Sequence, residues 1–159
     1  KEIKKFDIEK LNQINFMKLK LNKEHKIKFK SQLLGFGWTH NFNKDGAWTE
    51  GQDSYLNFKS PETESNKELL LSIRPYQSNN NKNFELEIFL NDNLIKKVNF
   101  YGNKKLQVIR IPIKKNISNK NYVLNFKLSN LISPYDKFES PDARKLGILL
   151  KSLQIKEVL

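Results

Sequence analysis

Trp38, His40, Trp48, Glu50 and Asp53 fall in one short stretch, GFGWTHNFNKDGAWTEGQDSYLNF at 35–58, which also holds four of the six glycines. An indole offers a flat apolar face to the C–H bonds of a pyranose ring, and His, Glu and Asp side chains supply hydrogen bonds to hydroxyls. Arg74 and Tyr76, two positions apart, would share one face of a strand and could extend the same shelf. A plainer reading of the same residues stands beside this one. Both indoles would plug an open end of a core, and Arg74 and Tyr76 would line a solvated strand face.

Other chemistry is harder to build. Glu50, Asp53, Glu139 and Asp142 could serve as acid and base, but no spacing fixes a pair at the separation glycoside cleavage needs. The chain has no nucleophile elbow, phosphate loop or His-rich metal box, and His25 and His40 are its only histidines. Cysteine is absent, which removes disulfides, thiolate metal sites and a thiol nucleophile. No cofactor is expected. The conceivable metal is a structural calcium held by Asp45, Asp53 or Asp142 with backbone carbonyls. Arg144, with Asp142 two residues earlier and Gly147 after it, is expected to tie a loop to the last strand through charge-assisted hydrogen bonds.

The formal charge of +12 attracts anions, but it is almost all lysine, spread from end to end amid Asn and Ile. Arg74, Arg110 and Arg144 are the only arginines. Such a pattern is what an AT-rich genome imposes, and it points away from nucleic acid and toward anionic membrane surfaces or acidic glycans. No apolar run approaches the ~20 residues that span a bilayer, and KEIKKFDIEK at the start lacks the apolar core of a signal peptide. The expectation is one soluble domain over 1–159, excised from a larger protein.

Period-two alternation dominates the chain. It predicts strands at 14–21, 69–76, 84–90, 94–101, 105–113, 122–128 and 147–156, with shorter ones at 27–30 and 55–59. A parity change near Met17 suggests a bulge, and Leu149, Leu153 and Ile155 are taken into the last strand together. The stretch from Gly35 reads as a hairpin-like corner that arrives at Trp38, turns at Asp45-Gly46 and returns over 47–50. Asn91-Asp92-Asn93 makes a tight hairpin turn, and only the first dozen residues and 137–145 suit a helical turn. The fold expected is all-β, a two-sheet antiparallel β-sandwich of jelly-roll type.

These residues carry a resemblance. GFGW, GAWTEG, DSYLNF, LLLSIRPY, the hairpin at LNDN and SPYDKFESPDARKLGILLKSLQI resemble an accessory domain of bacterial glycosyltransferases and other capsule or lipopolysaccharide assembly proteins. That family is similar to carbohydrate-binding-module sandwiches, and the likeness covers roughly 34–155. Residues 39–41 depart from it, since an acidic residue is expected after the tryptophan. The resemblance implies a non-catalytic module beside a sugar-handling enzyme. Its partners would be a bacterial saccharide or polysaccharide and an adjoining glycosyltransferase domain, and the alternative is a structural or docking domain with no ligand of its own.

Overall fold

The computed structural model describes residues 16–28, 31–39, 44–76, 83–101, 105–115, 120–129 and 146–158. They form two facing sheets. The first has the order β1 (Met17–Lys18), β4 (Asp53–Ser60), β9 (Lys120–Leu128), β6 (Asn83–Leu90) and β7 (Asn93–Tyr101). The second runs β2 (Glu24–Lys26), β10 (Leu146–Val158), β5 (Asn66–Pro75) and β8 (Gln107–Ile113), with β3 (Ala47–Glu50) also paired to β10. Every pairing is antiparallel except β1 with β4. The chain changes sheet at most connections, which is the expected β-sandwich.

Alternation explains why these segments pair as they do. In β5, Leu69, Leu71 and Ile73 are fully buried while Leu70, Ser72 and Arg74 are only half-buried. Leu56, Phe58, Leu86, Ile88, Leu124 and Phe126 answer them from the first sheet, and each such side chain contributes about 1.5–3 kcal/mol. Asn91 and Asp92 both take positive φ, 46° and 68°, as a two-residue turn between twisted strands requires. One cation sits among the buried side chains. Lys67 is 1% exposed, and its Nζ donates to the Ser60 hydroxyl at 2.9 Å and the Pro61 carbonyl at 3.4 Å. Burial lowers its pKa.

The N-terminal strands are shorter than the sequence predicts. Only Met17–Lys18 of the segment 14–21 is strand, and 14–15 lie outside the described residues. The parity change there is not a ladder bulge: Phe16 packs with Tyr55 and Val123 in a small separate cluster, while Leu19 belongs to the main core. Of the strand expected at 27–30, residues 27–28 are not strand and 29–30 lie outside the described residues; the strand here is Glu24–Lys26, with Ile27 buried just beyond it. Residues 1–12 and 137–145, expected to suit helical turns, lie outside the described residues.

The last strand contains Leu149, Leu153 and Ile155 as expected, and it is irregular. Ile148 and Leu150 face the core, Lys151 is an extra residue between the Leu150–Ile73 and Ser152–Ser72 pairs, and Leu153 and Ile155 then face the core again. This bulge reverses the side of every earlier residue in the strand. Leu149 therefore points away from the core that holds Leu153 and Ile155.

The Gly-rich corner stitches the two sheets together. Along β4, Gly35 N–H donates to the Tyr55 carbonyl and Tyr55 N–H to the Phe36 carbonyl, both at 2.8 Å. Two residues on, Glu50 N–H donates to the Gly37 carbonyl at 2.8 Å and Thr39 N–H to the Trp48 carbonyl at 2.9 Å, now along β3. Gly37 (φ 95°) makes that crossing possible, because a Cβ there would lie 2.1 Å from the Asp53 carbonyl oxygen. Gly46 (φ 146°) is equally constrained, 2.2 Å from the Leu150 oxygen, whereas Gly51 (φ 82°) has nothing within 4 Å.

That contrast separates strain from collision. Gly51→Ala should cost about 1 kcal/mol, the strain of the left-handed region alone. Gly46→Ala should cost about 3 kcal/mol or more, because backbone must also move. Urea unfolding midpoints at unchanged slope check this, and equal losses would mean the Gly46 backbone approach is not a constraint.

Candidate functional site

The bulge in β10 builds a row of side chains on the outer face of the second sheet. Leu149 pairs with Trp48 of β3 on one side and with Arg74 of β5 on the other. Ala47 and Thr49 are buried on the core side, so alternation turns Trp48 outward with Glu50. Thr49 fixes this register, because its hydroxyl accepts from Ile148 N–H at 3.0 Å. Leu149 is only 2% exposed although it faces away from the core. It forms an apolar floor flanked by two large side chains.

Above that floor Arg74 and Tyr76 converge on Trp48. The Arg74 guanidinium carbon lies 5.6 Å from the Trp48 ring centroid, a cation–π contact of about 0.5–1 kcal/mol at a partly exposed site. Tyr76 meets the same indole edge-on, with centroids 6.0 Å apart and ring planes at 82°. Its backbone is held where β5 ends, since Tyr76 N–H donates to the Gly147 carbonyl at 2.7 Å. All three side chains are half-buried. The arrangement offers aromatic surface, a planar set of N–H donors and a phenol on one solvent-facing patch.

The structure divides the residues singled out in the sequence. Trp48, Arg74 and Tyr76 come together, and Glu50 shares the outer face of β3 with Trp48. Trp38 does not join them. It is 8% exposed, its indole N–H donates to the Tyr55 carbonyl at 2.8 Å, and its ring packs edge-on against Phe126. The candidate platform at Trp38 is therefore corrected to a core plug that locks the crossing segment to β4. Asp53 is also elsewhere, because it starts β4 in the opposite sheet, where Asn125 Nδ2 donates to its Oδ1 at 3.4 Å. His40, Asp142 and Arg144 lie outside the described residues. Gly147 is buried and serves through its carbonyl.

Among the described residues no group of three or more His, Asp or Glu side chains comes together. The sequence reading missed Leu149 as the floor, and the only signal for it was the unbroken apolar run ahead of Lys151. It also missed a polar patch on the outer face of the first sheet. There the Asn57 and Asn125 side-chain oxygens are buried without a hydrogen-bond partner.

No protein-family model and no curated protein matches the chain. Among solved structures it is similar to the CBM36-1 domain of a multidomain xylanase from the hindgut metagenome of Trinervitermes trinervoides, with TM-score 0.54 and 12% identity over 86% of this chain and 99% of that one. It is similar to the mosquito-larvicidal Cry4Aa toxin of Bacillus thuringiensis, with TM-score 0.51 and 11% identity over 91% of this chain and 25% of that one. A carbohydrate-binding module CBM36 in complex with calcium and xylotriose also matches, with TM-score 0.46 and 12% identity over 84% of this chain and 98% of that one. The fold is thus the β-sandwich of carbohydrate-binding modules.

The two tryptophans should report their different surroundings. In a Trp48→Phe variant the remaining emission comes from Trp38 and should be blue-shifted and resistant to acrylamide, whereas Trp38→Phe should leave an easily quenched signal. Trp38→Phe should also lose about 1–2 kcal/mol of stability with its buried hydrogen bond. Equal quenching of the two variants would contradict the placement.

Proposed function

We propose that this domain is a non-catalytic glycan-binding module of a bacterial surface-polysaccharide glycosyltransferase or related sugar-handling enzyme, and that it binds through Trp48, Arg74 and Tyr76. What supports the reading is the solvent-facing row of these side chains over Leu149. Apolar surface with a few convergent donors is the material of a sugar subsite. A similar fold occurs as one domain of a multidomain xylanase, the same relation of module to enzyme proposed here. The adjoining enzyme would act in capsule or lipopolysaccharide assembly at the cytoplasmic face of the inner membrane, and the lysine-rich surface would favour that anionic setting.

A docking role without a ligand is favoured by one observation. Phe36, at the tip of the crossing segment, is 79% exposed, which suits a partner protein better than water. The two readings separate in titration. Stacking on one indole with a few water-competed hydrogen bonds predicts a Kd of about 0.1–1 mM for bacterial oligosaccharides. Trp48→Ala should abolish that binding and Trp38→Phe should retain it, with folding of both checked by circular dichroism. No binding at millimolar concentration to capsule-type or lipopolysaccharide-type glycans would favour docking, and binding that survives Trp48→Ala would move the site.

A further inference from the structure

Two arginines project from the outer face of the second sheet, and they are treated differently. Arg110 is neutralised by Glu68, with Nη1 to Oε2 at 3.2 Å. Arg74 lies over the Trp48 ring, and no ion pair to it occurs among the described residues. Its guanidinium is positioned by the indole and by its strand rather than by a carboxylate. An aromatic face orients the cation yet leaves its in-plane N–H donors able to bind an acceptor. Those donors form a planar fork that matches a carboxylate in two parallel hydrogen bonds.

We propose that this row selects acidic saccharides, specifically sugars carrying a uronic-acid carboxylate, over neutral ones. The inference rests on the glycan-binding reading above and adds the ligand's chemistry to it. Trp48 and Tyr76 would hold the apolar face of the ring while Arg74 takes the carboxylate. The floor at Leu149, 2% exposed, keeps water away from one side of that contact and so strengthens it. Glu50, exposed on the same face of β3, sets a limit, since it repels an anion placed toward that end of the row. The carboxylate therefore lies on the β5 side. The chain's excess of 29 Lys and Arg over 17 Asp and Glu speeds the encounter with a polyanion without choosing its orientation.

The test compares tetragalacturonate with xylotetraose, a neutral oligosaccharide of equal length, by titration at fixed salt. Wild type, Arg74→Gln, Arg74→Lys and Trp48→Ala are measured, each shown to unfold at the wild-type midpoint or corrected for the difference. Wild type should bind the acidic tetramer at least tenfold more tightly. Arg74→Gln should weaken acidic binding at least tenfold more than neutral binding and so erase that preference, and Arg74→Lys should recover only part of it because an ammonium cannot form the fork. Equal affinity of wild type for both tetramers would overturn the acidic selectivity and leave glycan binding intact. Preference retained by Arg74→Gln would also overturn it, showing that the scattered lysines attract the anion. Failure of both tetramers to bind would overturn this proposal, and the glycan-binding reading is then decided separately by the titration with capsule-type and lipopolysaccharide-type glycans.

Discussion

One extra residue in the central strand of the second sheet decides what each side of that sheet is for. Lys151 has no place in the ladder between β10 and β5, and its insertion keeps Ile148 and Leu150 in register with Leu153 and Ile155 on the core side. The same insertion places Leu149 on the outer face between Trp48 and Arg74. Without the bulge one half of β10 would have to turn its apolar set to solvent. Core and candidate site thus depend on the same irregularity, and β10 is paired along both its edges, to β5 on one side and to β2 and β3 on the other.

The crossing segment uses its unusual residues for architecture. Gly35, Gly37 and Trp38 read in sequence as materials for a ligand corner because glycine and tryptophan serve close backbone approach and recognition alike. In the fold the glycines let the chain pass from β4 to β3, and the Trp38 indole N–H is consumed by the Tyr55 carbonyl, which also accepts from Gly35 N–H. A buried polar group needs such a partner, and once it has one it is not available to a ligand. Trp48 differs only in parity. Its neighbours Ala47 and Thr49 take the buried face, so the indole is left outside.

Much of this was legible from the residues. Strict alternation in 69–76, 84–90 and 122–128 identified strands whose buried faces are the ones observed, and Asn91-Asp92 announced its turn through residues that tolerate positive φ. Arg74 and Tyr76 were placed on one face by their spacing, and they share the Trp48 patch. What stayed hidden was set by pairing at long range. Nothing local in GILLKSLQI says which residue the ladder will skip, and nothing local in DSYL says that Asp53 opens a strand in the opposite sheet from Trp48.

The outer face of β3, β10 and β5 is the proposed saccharide site. Amide chemical-shift mapping of the folded domain during titration with an acidic oligosaccharide tests it most directly. Shifts should be confined to 47–50, 73–76 and 147–150, with the Trp48 indole N–H moving and the Trp38 indole N–H still. Shifts centred instead on Tyr55, Asn57 and Asn125 across the sandwich, or an unchanged spectrum at millimolar ligand, would contradict it.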